Sequence, residues 1–295
     1  MGTSSRSGGP ASNSSLVPTF LEEPAPGPLP GAADPGAEED GDPGDEAIGD
    51  GEPAEAPPPR PPIEAPPEPA RFQTARGNFT RFARSGGNDR GALRRAVSDY
   101  VRSGARGGSN AMRRMGSARA TAANVLGVLR GFERDGVEAT LRQLKLGRLV
   151  GKPADEVLAG LTEVVCADGG SIDEGIARDA WLETVSELER LGIENLDALS
   201  ADQTREFIFA FIAHSIETRL FQDIGTNGLG AAADVASIEA FERQFRDYIR
   251  RSVRDSFSTD LGPLADRTDD QIREIIDRTY REAWELLDLW GDVEE

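Results

Sequence analysis

Residues 206–221 read EFIFAFIAHSIETRLF, and Phe207, Ile208, Phe209, Phe211, Ile212, Ile216, Leu220 and Phe221 leave the first half of this stretch without a polar face. A helix apolar all round is a buried helix. At about 1.5–3 kcal/mol for each large side chain fully buried, these eight are the densest store of hydrophobic free energy in the chain. The folded part is therefore expected to be built around them.

Two later stretches have the period of amphipathic helices. Ile238, Phe241, Phe245, Ile249 and Val253 fall on one stripe, and Ile272, Ile276, Ala283, Leu287 and Trp290 on another. Both are expected to lie against the apolar helix. Ser171 with Glu174, Ser200 with Gln203, and Thr268 with Gln271 match the capping box, in which hydroxyl and N3 side chain satisfy each other's backbone amides. Pro153 suits a first helical position, with Asp155 and Glu156 near the positive end of the helix dipole. Gly169 and Gly170 suit a helix end. The pattern gives helices over 89–103, 110–134, 137–149, 153–167, 172–191, 201–223, 237–257 and 269–290. With no convincing alternating strand, the expected fold is all-α, a single bundle-like domain of about eight helices over residues 85–295.

The chain ahead of it has another composition. Residues 1–70 hold 17 of the 19 prolines and 14 acidic residues against Arg6 and Arg60, too little apolar surface to offset the entropy of ordering. A small-residue N-terminal peptide (1–18) and a disordered Pro/Gly/acidic linker (19–84) are the expected divisions. Charge is as uneven: net −12 over 1–70, +11 over 71–134 and −18 over 135–295. Arginines interleaved with Phe72, Phe79 and Phe82 could hold phosphate and stack on bases. Alternatively they pack onto the chain's own acidic body or an acidic partner. Arg113, Arg114 and Arg119 are the candidate basic contact surface.

Catalytic signals are weak. His214, the only histidine, has Glu217 three residues on, but a metal needs three or four ligands, and none cluster here by sequence. Cys166 has no histidine near it in sequence and falls at an expected helix C-terminus, where the dipole disfavours a thiolate. The segment DGGSIDEG lacks the lysine of a phosphate loop and fails the calcium-loop spacing. Arg6 stands where a myristoylation signal needs Ser or Thr. No catalytic residue, metal or cofactor is expected. A single cysteine, no apolar run near 18 residues and no signal-peptide pattern give a cytoplasmic expectation with no membrane contact.

Three stretches carry a family resemblance: MGTSSRSGGP followed by LVPTF at the start, CADGGSIDEGIARDAWLET over 166–184, and RLFQDIG over 219–225. With these the chain resembles the B component of the Qat anti-phage defence systems, four-gene bacterial cassettes. The resemblance implies no enzyme activity for this chain. It implies as partners an ATPase, a QueC-like enzyme of the queuosine type and a TatD-like nuclease. A queuosine-type enzyme activates a deazaguanine carboxylate with ATP and gives it to ammonia, and a protein amine could take ammonia's place. Gly2, exposed once Met1 is removed, offers an α-amine of pKa about 7.7–8.0, partly neutral at cellular pH. Thr3, Ser4, Ser5, Gly8, Gly9 and Pro10 behind it are the residues a partner would recognise, and they offer little bulk. The expected function is thus a non-catalytic defence component presenting Gly2 for modification. The alternatives are a helical nucleic-acid-binding adaptor using 71–134 and, behind it, a metal enzyme around His214.

Overall fold

In the computed structural model, the described residues are 71–167, 170–225, 235–256 and 261–289. They form eleven α-helices and, among them, no strand: α1 (Gln73–Arg84), α2 (Arg90–Asp99), α3 (Gly108–Arg113), α4 (Gly116–Asp135), α5 (Val137–Gln143), α6 (Ala154–Gly160), α7 (Thr162–Val165), α8 (Ile172–Ser186), α9 (Ala201–Leu220), α10 (Val235–Ser256) and α11 (Asp269–Leu289). The fold is all-α, as expected.

Helix α9 is the apolar helix and is wrapped on several sides by α8, α10 and α4. Phe207, Ile208, Phe209, Phe211, Ile212, Ile216 and Leu220 are all buried, as are His214, Ser215 and Arg219 between them. Helix α10 lies against α9, and its Phe241, Phe245, Ile249 and Val253 are buried. Helix α11 differs from expectation. It packs chiefly on α4, α3 and α10, and its buried face also includes Ile275, Tyr280 and Trp284. It reaches α9 through a 2.7 Å hydrogen bond between the Tyr280 and Ser215 hydroxyls.

All three capping boxes form. Ser171 and Ser200 accept the amides of Glu174 and Gln203, whose side chains return to the cap amides. Thr268 and Gln271 do the same at 3.2 and 2.9 Å. Pro153 is the N-cap of α6 rather than its first residue.

The helix count exceeds eight because two expected helices are split and α1 is added ahead of them, while a third expected helix is cut short. Residues 110–134 divide into α3 and α4 at Arg114 and Met115, and 153–167 into α6 and α7 at Leu161. Residues 137–149 stop after α5 in a Schellman turn. Lys145 takes a left-handed φ of 61°, and the amides of Leu146 and Lys145 bond back to the carbonyls of Leu141 and Arg142 at 2.8 and 3.0 Å.

The other difference is the domain boundary. Residues 1–70 of the expected peptide and linker lie outside the described residues, but 73–84, also placed in the linker, form α1. Phe72, Ala75, Phe79 and Phe82 make an apolar stripe of helical period, and all are buried. Phe79 meets Phe241 and Phe245 edge-on at 5.2 and 5.3 Å. Such aromatic pairs each contribute roughly 0.5–1.5 kcal/mol beyond area burial, which explains why an arginine-rich stretch folds onto the bundle. No ring of this trio is left to stack on a base.

Candidate functional site

Helices α2 and α9 do not end cleanly; each runs into one π-helical turn, Tyr100–Gly104 and Phe221–Gly225. Such turns re-aim side chains and recur at functional sites. Here they bring Tyr100 and Asp223 together. The Tyr100 hydroxyl donates to Asp223 Oδ2 at 2.8 Å, and Arg114 Nη2 donates to the same oxygen at 2.9 Å. Arg76 Nε donates to the Asp223 backbone carbonyl at 2.9 Å. Burial, followed by the Asp223 carboxylate beside it, pushes the Tyr100 hydroxyl well above the ordinary phenol range, so it stays a neutral donor.

Phe72, just ahead of α1, closes this junction. Its ring stacks on Tyr100 with centroids 4.9 Å apart and planes 11° off parallel, and the Arg114 guanidinium lies over it at 5.3 Å. Gly104 makes the stack feasible: a Cβ there would sit 2.2 Å from the Phe72 ring. Arg71 Nε donates to the Gly104 carbonyl. The residues that begin the described fold are thus fixed by π-turns from two other helices.

A second acid extends the network. Buried Arg219 donates to Asp173 Oδ1 and to the Arg114 carbonyl, the latter at 2.7 Å, while Asp173 Oδ2 accepts the Ser117 amide at 2.8 Å. Asp173 and Arg219 belong to the two internal stretches that carry the family resemblance, and Asp223 to the second of them. Ser117, Asp173, Arg219, Arg114, Asp223 and Tyr100 therefore form one run of bonds tying the starts of α4 and α8 to the ends of α2 and α9. The sequence reading named only Arg114 among them. The available signal was an arginine inside an otherwise apolar helix.

The three candidate contact arginines are not brought together. Arg113 is exposed and bonds Asn110 on its own helix. Arg114 is spent on Asp223, and Arg119 donates to Asp277 at 2.7 Å. Two of the three, Arg114 and Arg119, are thus half-buried and ion-paired within the chain, and Arg113 alone is exposed. Arg102 and Arg130 likewise pair with Asp288 and Asp269, so much of the basic stretch is neutralised by the chain's own acidic half. Gly2, Thr3, Ser4, Ser5, Gly8, Gly9 and Pro10 lie outside the described residues.

His214 sits in a second polar network, between α8, α9 and α10. Its Nε2 is 3.4 Å from Glu187 Oε2 and 3.3 Å from Arg250 Nη2, and its Nδ1 is 3.9 Å from Glu217 Oε2. Burial works against ionisation of Glu187, but hydrogen bonds from His214, Arg190 and Arg250 outweigh it and hold the carboxyl well below the usual range. Burial instead raises Glu217, against the attraction of Arg246 and His214. Among the described residues no group of three or more His, Cys, Asp or Glu is placed to hold a metal ion.

A pH signature follows for Glu187. A carboxyl depressed in the fold contributes stability that is complete above its unfolded pKa of about 4.3 and is lost as pH falls through the folded value. Glu187→Gln should cost about 2–3 kcal/mol at pH 7, the range for hydrogen bonds to a charged group. Urea unfolding at pH 7 and near pH 3 checks this: the gap to the natural chain should narrow at the lower pH, where the unfolded chain takes up a proton that the folded carboxyl still refuses, and a gap constant with pH would contradict it.

The remaining features offer little chemistry. Cys166 is buried, and burial raises its thiol above the usual range. A cleft of about 360 Å³ between α4, α5 and the start of α11 is lined by Arg130, Arg134 and Arg273, already paired with Asp269, Asp135 and Asp270. Another of about 250 Å³ is walled mainly by leucines, with Phe132 and Pro263. Neither is lined by histidine, cysteine or lysine. Among the described residues no helix is long and apolar enough to cross a membrane.

Fold and site together define an all-helical body, among the described residues, with two polar networks that tie its helices to one another. Residues 107–287 match the family described as Qat anti-phage system associated protein QatB. The chain belongs to this family and is a component of an anti-phage defence system. No curated protein and no solved structure matches it.

Proposed function

We propose that this chain is a non-catalytic member of the Qat system whose N-terminal peptide is the substrate of a QueC-like partner. Membership of the QatB family carries the reading, because it supplies the system in which such a partner operates. The acceptor is Gly2, with Met1 removed. The partner's ATP-activated carboxy-deazaguanine forms an amide with the Gly2 nitrogen; the bond to adenylate breaks, the adenylate leaves with the electron pair, and the amine loses a proton. Thr3, Ser4, Ser5, Gly8, Gly9 and Pro10 pass into the partner's pocket with few steric conflicts. Its further partners are the other Qat components, an ATPase and a TatD-like nuclease, in the cytoplasm.

Two altered chains test the point of attachment. Gly2→Pro replaces the primary amine, and a tag fused ahead of Met1 moves Gly2 into the chain interior. Both should lose N-terminal modification and protection against phage. Protection by either chain, still modified at its N-terminus, would overturn the proposal.

A further inference from the structure

The arginines of α1 and α2 stand apart from those that follow. Residues 71–106 carry nine arginines against two acids, Asp89 and Asp99. The two acids are engaged locally. Asp89 caps α2 by accepting the Ala92 amide at 2.9 Å, and Asp99 accepts from Asn78 at 2.8 Å. Helices α1 and α2 pack against each other as a hairpin, with α1 ending at Arg84 and α2 starting at Arg90. Around that turn Arg81, Arg84, Arg90 and Arg95 are all exposed. Arg81, Arg84 and Arg90 have no ion-pair partner among the described residues, and Arg95 has only Asp89 at 3.9 Å. By contrast Arg102, Arg114, Arg119 and Arg130 each meet an acid from the second half of the chain.

From this we infer that the tip of the α1–α2 hairpin is a docking surface for the phosphate backbone of nucleic acid. Charge gives the sign of the partner, and the surroundings give its class. A protein interface is organised around an apolar core within a polar rim, whereas a nucleic-acid interface is polar and strongly positive. The exposed large apolar side chains of the described fold are Ile172, Leu182 and Leu289, none of them on the hairpin. The hairpin's aromatic rings, Phe72, Phe79, Phe82 and Tyr100, are all buried. Contact is therefore through phosphates, without stacking on bases and without reading of sequence. Arg81 and Arg84 lie one turn apart at the end of α1, and Arg95 reaches back along α2 to Asp89 beside Arg90, so on helices packed about 8–10 Å apart the four can meet several phosphates of one duplex. The hairpin lies ahead of residues 107–287 that match the family, so this surface is separate from the body that defines membership.

The full chain, titrated into a labelled random-sequence 30-base-pair DNA duplex at increasing salt, tests the inference. Four phosphate contacts predict an affinity falling on the order of a hundredfold between 50 and 200 mM salt. Reversing Arg81, Arg84, Arg90 and Arg95 to Glu should abolish binding at 50 mM with the helical signal unchanged. Reversing exposed Arg142, Arg148 and Arg273 together with half-buried Arg205 changes net charge equally and should leave most of the binding. A single strand of the same length should bind no more tightly than the duplex. The inference is overturned if the natural chain does not bind at 50 mM salt, if the two quadruple variants lose binding equally, or if the hairpin variant still binds.

Discussion

Phe211→Asp should abolish cooperative unfolding, leaving a chain without a thermal transition. Phe211 is wholly buried at the middle of α9, the helix that α4, α8 and α10 pack around. Truncating a buried phenylalanine costs roughly 3–5 kcal/mol. A carboxylate without a partner in its place adds several more, against a total stability of about 5–15 kcal/mol for a domain. The carboxylate has no nearby relief, since the buried arginine of α9, Arg219, is engaged with Asp173. Circular dichroism melting checks this. A variant melting within a few degrees of the natural chain would show that α9 is not the centre of the core.

Asp223→Ala should have the next largest effect. It takes the acceptor from both the Tyr100 hydroxyl and Arg114, leaving a buried phenol and a guanidinium over the Phe72 ring without a counter-charge. Removing one partner of a buried charged pair costs about 3 kcal/mol or more, which lowers Tm by roughly 6–12 °C for a domain of this size. Tyr100→Phe separates the two bonds. Combined with Asp223→Ala it should add much less than its own cost, because the hydroxyl has already lost its partner. Additive costs, or a loss under 0.5 kcal/mol for Asp223→Ala alone, would show that the junction does not hold α1 in place.

What could be read in the sequence was what repeats with a period. The apolar helix, the stripe of α10 except half-buried Ile238, the stripe of α11 up to Leu287 (Trp290 lies outside the described residues) and the three capping boxes depend on residues within a few turns of one another, and these formed. Helix α1 was missed though its period was present, because three phenylalanines among arginines have the composition of a nucleic-acid contact as well as of a core helix. Only the pocket of Phe221, Phe241 and Phe245 decides between them. The Tyr100–Asp223 junction was beyond reach for another reason: its members are 123 residues apart and meet because two helices end in π-turns, which no local pattern announces. Arg113, Arg114 and Arg119 show the converse. Closeness in sequence suggested one surface, and acids more than a hundred residues away, Asp223 and Asp277, pair with two of the three.

The buried polar networks tie the helices of the described fold to one another, and the proposed modification lies on the N-terminal peptide. The most direct measurement is the mass of that peptide, taken from the chain produced together with its QueC-like partner and again with the partner's ATP site disabled. The account predicts one added deazaguanine group joined to the Gly2 nitrogen, present with the active partner and absent with the disabled one. An unmodified Gly2 peptide in the presence of the active partner, or the added mass on a peptide elsewhere in the chain, would contradict it.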